Sequence, residues 1–349
     1  MLQKSTYEIS TDYGRILEGL VNGTVEYLNG NPNIKSMVVG MSGGIDSTLT
    51  AAVAKTACAH KDLKNRNIKI IGISLPTMAN KRGEYERARL SGQAFCHIFT
   101  EIDITRYVNQ DVKAIKMLAS LIPPIVDQTE TQIKIRKGNL AARKRMVMLY
   151  DVAAANSGLV LSTDNFTEYM TGFWTLHGDV GDFGILQTLW KTEVYGLAAY
   201  LRDMQKDESV AKALDLSITA IPTDGLGITS SDFDQICDGM TCETPQEQYY
   251  MVDKILIDYL NKGDNCNDPV IKQHVKTRFK RCNPYNIPRA YFTGEKVVVE
   301  STDIDEKKAE EIRYTIREGA KAQKKVDAYL RKVTKERDEA FAAMKKIKL

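Results

Sequence analysis

Residues Ser36–Thr50 read SMVVGMSGGIDSTLT, and this stretch decides how the rest of the chain is arranged. The apolar run Met37–Met41 has the composition of a buried parallel strand, and it ends where Gly43 and Gly44 permit backbone angles that other residues avoid. Asp46 then opens a helix. A glycine turn between a strand and a helix N-terminus directs backbone N–H groups and the positive end of the helix dipole at one point. The stretch therefore predicts an anion site, with phosphate as the expected anion.

Buried strands and amphipathic helices alternate on both sides of this turn. The expected strands are Met37–Met41, Ile68–Leu75, His97–Ile102 and Leu159–Leu161, and the expected helices are Thr11–Gly30, Ser47–His60, Glu84–Cys96, Thr105–Leu121, Thr129–Asn156 with a break at Gly138, and one that begins near Trp190. Strands that alternate with helices pair in parallel through right-handed crossovers. The pattern predicts an α/β fold, a doubly wound parallel sheet whose ligands lie beyond the carboxyl ends of the strands.

Composition limits the function further. The chain has 349 residues, of which 43% are hydrophobic and 27% charged, and its net charge is +3. Residues 301–349 carry 14 basic and 10 acidic residues, so the remainder is nearly neutral and no nucleic-acid partner is expected. No apolar run suits a membrane span, and the N-terminus lacks an export signal. The six cysteines form no C-x-x-C pair, so we expect reduced thiols, a cytoplasmic location and no zinc or iron–sulfur site.

The glycine turn differs from two common nucleotide-binding motifs. A P-loop needs the lysine of G-x-x-x-x-G-K-[ST], which is absent here, and G-x-G-x-x-G does not match either. The sequence Ser-Gly-Gly-x-Asp-Ser at residues 42–47 resembles the loop of the N-type ATP pyrophosphatases, which hold the pyrophosphate that leaves when ATP adenylates a substrate. The resemblance implies attack on the α-phosphorus and transfer of AMP. It also implies that Asp46 is a ligand of Mg²⁺, which prefers oxygen donors.

Four further motifs narrow the resemblance. They are G-N-x-x-A-R-x-R-M at residues 138–146, T-D-N-x-x-E at 163–168, T-G-F-x-T-x-x-G-D at 171–179 and L-x-K-T-x-V-Y-x-L-A at 189–198. Together with the turn they resemble the ammonia-dependent NAD synthetases, over residues 17–284. That family adenylates the carboxylate of nicotinic acid adenine dinucleotide (deamido-NAD) with ATP, and ammonia then displaces AMP to give NAD. The fold that this resemblance implies is adenine nucleotide alpha hydrolase-like.

The resemblance implies a role for individual residues. The positions that match the family are, for ATP, Gly40, Met41, Ser42, Gly43, Gly44, Ile45, Asp46, Ser47, Thr163, Lys191 and Thr223; for deamido-NAD, Asn139, Arg143, Phe173, Asp179, Asp182 and Lys280; and for Mg²⁺, Asp46 and Glu168. The expected catalytic residues are Asp46, Asp179 and Lys191. Cations are needed because adenylation brings a carboxylate against a polyphosphate. Asp179 would attract ammonium and take its proton, since only free ammonia is nucleophilic.

Simpler interpretations of these residues stay open from the sequence alone. Arg143 could belong to a solvated basic helix face, and Glu168 and Lys191 could be ordinary surface charges. The chain also departs from the family pattern: Leu176 replaces a lysine, and Phe279 replaces the histidine of a His-Lys pair.

Two loops near the expected site also depart from the family. Asn80 is the nearest substitute for a glutamine, and part of an acidic loop is missing after Thr223. A shorter loop predicts either faster hydrolysis of the adenylate or a covering element from elsewhere in the chain.

Residues 291–349 have no counterpart in the family. Apolar residues recur there at three- to four-residue intervals among charged ones, which predicts amphipathic helices. We therefore divide the chain into a synthetase-like domain at residues 1–290 and a charged helical extension at 291–349. These helices are expected to pack on the body or on a second subunit rather than to form a free basic tail.

The expected partners are ATP, deamido-NAD, ammonia and a second copy of the chain, since the family is dimeric. The length leaves no room for a glutaminase domain, so free ammonia is the expected donor, although a separate glutaminase could supply it. Two alternatives stay open. One is another ATP pyrophosphatase, such as a GMP synthetase or a tRNA thiolase, that amidates or thiolates a different acceptor; the other is a catalytically weakened nucleotide sensor.

Overall fold

The structure is a computed structural model that describes residues 6–222 and 242–284. Within these residues five parallel strands form one sheet in the order β3-β2-β1-β4-β5. The strands are β1 (Ser36–Gly40), β2 (Lys69–Ser74), β3 (Ile98–Glu101), β4 (Gly158–Ser162) and β5 (Phe183–Gly184). β1 is central: Val38 pairs with Ile71 of β2 on one side and with Val160 of β4 on the other. The side chains from Met37 to Val39 are fully buried, as expected for a parallel strand covered on both faces.

The described residues also form eleven α-helices. They are α1 (Tyr13–Gly30), α2 (Ile45–Cys58), α3 (Arg82–Phe95), α4 (Thr105–Leu121), α5 (Glu130–Ala155), α6 (Phe166–Thr171), α7 (Lys191–Asp203), α8 (Glu208–Ile218), α9 (Pro245–Lys262), α10 (Pro269–Lys276) and α11 (Arg278–Arg281). Polar caps fix several starts: Thr129 and Asn165 each form a capping box, before α5 and α6. Such caps satisfy N–H groups that lack a partner within the helix.

Helix α5 is continuous, so the break expected at Gly138 is wrong. Further along the same helix, Met146 and Leu149 pack in one cluster with Val38 and Val160 of the sheet. A glycine inside a helix costs only about 1 kcal/mol relative to alanine. The apolar packing of this long helix outweighs that cost.

Two groups of helices pack against the sheet. Helices α4 and α5 contact each other, and α5 contacts β1 and β4. A second group, made of α1, α2, α3, α7 and α8, is joined by mutual contacts and reaches the sheet through α2 and α3. The parallel order with these crossovers confirms the predicted doubly wound α/β fold. Among the described helices, none combines the length and the apolar character that a membrane crossing requires.

The described residues divide into two units. The first contains residues 6–222, 242–257 and 267–283, and it holds every residue of the site described below. The second contains residues 258–266, which end α9 and form the following turn, together with Pro284. Within that turn Gly263 has a φ of +78°, which glycine adopts without strain. The predicted domain boundary after residue 290, the C-terminal helices and Thr223 all lie outside the described residues.

Candidate active site

The glycine turn between β1 and α2 lies at the carboxyl end of the central strand, as predicted. Gly43 has a φ of +78°, and a Cβ at this position would lie 2.6 Å from the backbone nitrogen of Ala88, so only glycine fits. The hydroxyl oxygens of Ser42 and Ser47 are 3.0 Å apart across the turn. Gly44 is the N-cap of α2 and offers no side-chain cap. The first N–H groups of α2 are therefore suited to binding an anion.

A lysine and two carboxylates from three helices meet beside this turn. Lys191 Nζ, at the start of α7, donates to Glu168 Oε1 of α6 at 2.9 Å and to Asp46 Oδ2 of α2. Only 3% of the Lys191 side chain is exposed. Burial by itself lowers the pKa of Lys191, but Asp46 and Glu168 outweigh it and hold the pKa well above 10.5. Lys191 is therefore a buried cation shared by both acids.

Asn165 connects the two carboxylates to the start of α6. Its side-chain oxygen accepts a hydrogen bond from the Glu168 backbone nitrogen at 3.0 Å, and its Nδ2 donates to Asp46 Oδ1 at 2.9 Å. Glu168 Oε2 accepts from the Asn165 backbone nitrogen in return. The capping box that begins α6 therefore also sets the positions of both carboxylates.

Behind this cluster, Asp253 of α9 joins the N-termini of α6 and α7. Its Oδ2 accepts from the backbone nitrogen and the hydroxyl of Thr192 at 2.9 and 2.6 Å, and its Oδ1 accepts from the Thr167 hydroxyl. The Thr167 oxygen accepts in turn from the Lys191 backbone nitrogen at 2.8 Å. Burial raises the pKa of Asp253 to about 6, although these hydrogen bonds lower it. No motif in α9 points to the site, so Asp253 could not be identified from the sequence.

Two further acids, Asp164 and Asp179, line a cavity that the glycine turn, Lys191 and Glu168 also line. Asp179 Oδ1 accepts from the Thr175 backbone nitrogen at 2.8 Å, and burial raises the pKa of Asp179 to about 6. Asp164 Oδ2 accepts from the Ser162 hydroxyl at 3.0 Å. Burial raises the pKa of Asp164 well above 3.8, and the charges of Asp179 and Glu168 raise it further. Asp164 follows Thr163 in the T-D-N motif, which was the signal that could have identified it.

The cavity has a volume of about 290 Å³ and lies at the carboxyl ends of the strands. The predicted residues that line it are Gly40, Met41, Ser42, Gly44, Ile45, Asp46, Ser47, Thr163, Glu168, Phe173, Asp179 and Lys191. Residues not predicted from the sequence also line it, among them Arg87, Asp164 and Tyr195. Of the described residues predicted for ATP or metal, the structure therefore brings together all except Gly43, which lies inside the turn. Thr223 lies outside the described residues.

Three residues predicted to bind deamido-NAD lie outside the cavity lining and support the loop after α6. The Asn139 side-chain oxygen accepts from a hydroxyl of this loop at 2.7 Å, and Arg143 Nε donates to one of its backbone carbonyls at 3.0 Å. Lys280 Nζ donates to two other carbonyls of the loop. The same loop carries Phe173 and Asp179, so these contacts fix two residues that do line the cavity.

Asp182 is also absent from the cavity lining, and both of its carboxylate oxygens have protein partners. The Tyr150 hydroxyl donates to Oδ1 at 2.7 Å, and the Val160 backbone nitrogen donates to Oδ2 at 2.9 Å. Burial and this bond to Asp182 raise the pKa of Tyr150 to about 12. Asp182 therefore links α5 and β4 next to β5. Its contact with substrate stays a prediction.

The fold and the site together define a class of protein. The central strand of a parallel sheet ends in a glycine turn without a lysine, while a separate buried lysine and two carboxylates lie beside it. The motifs predicted this combination from their resemblance to the N-type ATP pyrophosphatases, and the parallel α/β sheet agrees with that class. Within that class the chain belongs to the NAD synthase family, whose model matches residues 16–284.

Individual relatives agree with this membership. The NH(3)-dependent NAD(+) synthetase of Campylobacter jejuni strain RM1221 is 28% identical over 225 residues, which are 64% of this chain and 82% of that protein. The enzyme of the same name from Thermoplasma acidophilum is 28% identical over 260 residues, or 73% of this chain and 91% of that protein.

Solved structures show the same fold. An NMN synthetase from Francisella tularensis has a TM-score of 0.60 at 22% identity and covers 81% of this chain and all of its own. An NH3-dependent NAD synthetase from C. jejuni, in complex with nitrate, has a TM-score of 0.55 at 24% identity. The match covers 79% of this chain and 100% of that one.

Proposed function

We propose that this protein is an ammonia-dependent NAD synthetase, which uses ATP to convert deamido-NAD to NAD with release of AMP and pyrophosphate. The observation that carries the proposal is the convergence of the glycine turn, Lys191 and two carboxylates on one cavity. Membership of the NAD synthase family supports ATP as the co-substrate. The relatives named above support ammonia as the nitrogen donor.

The first step is adenylation of the pyridine carboxylate. A carboxylate oxygen attacks the α-phosphorus of ATP, the bond from that phosphorus to the bridging oxygen breaks, and pyrophosphate leaves. The N–H groups at the start of α2 suit the β- and γ-phosphates that become this leaving group. Lys191 adds a fixed positive charge close to the turn. Because Lys191 is already buried and oriented, it stabilises developing negative charge without reorganisation.

Asp46 and Glu168 are the proposed ligands of Mg²⁺. Both carboxylates bind the ammonium group of Lys191, so their oxygens already face a common cation. Mg²⁺ in nucleotide sites is held by one or two carboxylates and completes its shell with water and phosphate oxygens, which this pair allows. The described residues contain no cluster of three or more His, Cys, Asp or Glu suited to a metal. Bound Mg²⁺ would neutralise part of the charge on the phosphates.

The second step is amide formation at the adenylated carboxyl carbon. Ammonia attacks this carbon, the bond to the AMP oxygen breaks, and one proton must leave the nitrogen. Asp179 suits the role of proton acceptor because it lines the cavity and its pKa of about 6 leaves it ionised at neutral pH. Its negative charge would also attract ammonium into the cavity.

The remaining substrate contacts are proposed from position and family pattern. Phe173 lines the cavity and offers an apolar surface to the pyridine ring. Thr163 lines it as well and is proposed, with Thr223, to contact ATP. The positions that match the family for deamido-NAD are proposed to bind its dinucleotide part, namely Asn139, Arg143, Asp182 and Lys280.

A homodimer is part of the proposal, and an exposed apolar surface on α4 and the segment after it supports it. The surface consists of Met117, Leu118, Leu121, Ile122, Ile125 and Val126, each more than half exposed. Large exposed apolar patches on a protein surface mark interaction sites. Leu121→Lys should halve the mass measured by light scattering, whereas Lys113→Ala on the same helix should leave it unchanged. An unaltered mass in Leu121→Lys would contradict this interface.

The direct test of the activity is an assay with purified protein, ATP, Mg²⁺, ammonium and deamido-NAD. We expect NAD, AMP and pyrophosphate in equal amounts. Asp46→Ala should abolish pyrophosphate release, and Asp62→Ala, which removes an exposed carboxylate after α2, should retain it. Full activity in Asp46→Ala would contradict the metal role.

The alternatives give different results in the same assay. Pyrophosphate release only with another acceptor, such as nicotinic acid mononucleotide, would indicate that Leu176 and Phe279 accompany a changed substrate. Tight ATP binding without turnover on any acceptor would indicate a nucleotide sensor. A separate glutaminase would show as activation by glutamine only when that partner is added.

A further inference from the structure

Helix α3 packs directly against the glycine turn. A Cβ at Gly43 would lie 2.6 Å from the backbone nitrogen of Ala88 and 2.8 Å from the carbonyl oxygen of Glu84. The backbones of the turn and of α3 are therefore in contact, and side chains on this side of α3 have a fixed position relative to the turn.

Arg87 lies on this side of α3. Its Nε donates a hydrogen bond to the Gly43 carbonyl oxygen at 3.1 Å, and the half-buried side chain lines the cavity beside Ser42, Gly44 and Ser47. In the part of the chain that the structure describes, its two terminal nitrogens have no hydrogen-bond or ion-pair partner. The guanidinium group is thus held at one nitrogen and free at the other two.

Phosphates bound at the turn would need a nearby positive charge, and Arg87 can supply it. The turn contains no lysine, and the ammonium group of Lys191 is shared by Asp46 and Glu168. A second arginine of the cavity, Arg145, donates from Nε to the Leu75 carbonyl oxygen at 2.9 Å and from a terminal nitrogen to Asn80 Oδ1 at 3.3 Å. The terminal phosphates of a nucleoside triphosphate carry several negative charges. The planar fork of an arginine matches phosphate oxygens in both geometry and charge.

We propose that Arg87 binds the terminal phosphates of ATP and the pyrophosphate formed from them, with its two free nitrogens directed at phosphate oxygens. The inference deepens the proposed function, because it assumes that the cavity is the nucleotide site. In this arrangement α3 supplies the cation that a P-loop carries within its own glycine loop. Arg87 holds the leaving group and takes no part in ammonia transfer.

The test measures binding of inorganic pyrophosphate in the presence of Mg²⁺ by titration calorimetry, with the full chain. Arg87→Gln removes the charge and should weaken binding by about 10- to 100-fold, the effect of losing a charge-assisted hydrogen bond. Arg89→Gln is the matched control, because this exposed arginine lies two residues along the same helix and does not line the cavity. It should bind pyrophosphate within about twofold of the wild type.

Steady-state kinetics separate binding from a merely structural role. In Arg87→Gln the KM for ATP should rise about as much as pyrophosphate binding falls, whereas the KM for ammonium and the urea midpoint of unfolding should not change. Arg87→Lys keeps the charge without the fork and should fall between wild type and Arg87→Gln in pyrophosphate affinity. Loss of stability without loss of pyrophosphate affinity would assign Arg87 to support of the Gly43 carbonyl and overturn the proposal.

Equal effects of Arg87→Gln and Arg89→Gln on pyrophosphate binding would also overturn it. Because this measurement needs no pyridine acceptor, its outcome is independent of which acceptor is amidated. A wild-type protein that binds pyrophosphate but makes no NAD would refute the proposed function and leave the role of Arg87 standing. A wild type that binds neither ATP nor pyrophosphate would refute both.

Discussion

Replacing Lys191 by methionine tests whether one buried cation holds the two carboxylates of the site together. Methionine keeps most of the length and apolar stem of the lysine and removes only the ammonium group. In the variant, Asp46 and Glu168 would face each other without the charge that now joins them. We expect a large loss of folding free energy together with loss of pyrophosphate release.

The size of the loss follows from how far each partner is buried. Removing one member of a buried ion pair costs about 3–5 kcal/mol, since it leaves an uncompensated charge. The carboxylate side chains of Asp46 and Glu168 keep 18% and 14% exposure, so water screens them in part. We therefore expect the free energy of unfolding to fall by about 2–4 kcal/mol. Added MgCl₂ should restore part of this loss, because a cation then returns to the two carboxylates.

The measurement is urea unfolding of wild type and variant at neutral pH. Lys144→Met is the matched control: Lys144 pairs with Asp111 at 2.7 Å, but these side chains are 27% and 32% exposed, so the expected loss is about 0–1 kcal/mol. Because the folded-state pKa of Lys191 is raised, its contribution is fully present below about pH 10.5 and is lost only as the pH rises through the higher folded value. Equal losses in Lys191→Met and Lys144→Met would refute the reasoning.

Three further predictions concern other parts of the site. Because burial raises the pKa of Asp179 to about 6, the rate of wild-type amidation at constant free ammonia should increase from about pH 5 to 7 as Asp179 ionises. The Asp179→Asn variant should not show this increase. An unchanged pH profile in the variant would exclude Asp179 as the base. Gly43→Ala should lower the rate of pyrophosphate release more than about tenfold, because the added Cβ meets α3; Gly23→Ala in α1, where a Cβ meets nothing within 4 Å, should leave the rate unchanged, and equal rates in both variants would contradict this. Asp253→Ala removes the acceptor of three hydrogen bonds and should lower the free energy of unfolding in urea by about 3 kcal/mol or more; a loss below about 1 kcal/mol would show that water replaces the carboxylate.

The strands and long helices could be predicted because their signals are local. Apolar runs such as Met37–Met41 give buried strands, and the long helical patterns have polar residues or prolines at their ends. β5 consists of Phe183 and Gly184 alone and α6 of six residues, which is too short for any periodicity. The continuity of α5 through Gly138 depends on packing against the sheet, which the pattern of one segment does not contain.

The residues of the candidate site also fall into those that the sequence could identify and those that only the folded structure reveals. The glycine turn, Lys191 and Glu168 lie in motifs, so the resemblance located them although more than 100 residues separate Asp46 from Glu168. Arg87 and Arg89 cannot be distinguished in the sequence of α3, because only the contact with Gly43 shows which of them faces the cavity. Asp253 is similar: its role arises where α9 meets the ends of α6 and α7.

Asn165 imposes a constraint on how this protein can change over generations. The same side chain starts α6 and holds Asp46, so a substitution there would damage the helix and the carboxylate pair in one event. A library screened for turnover would discard such variants without revealing which defect came first. Substitutions that raise heat resistance would therefore have to occur at other positions, where a side chain has only one structural role.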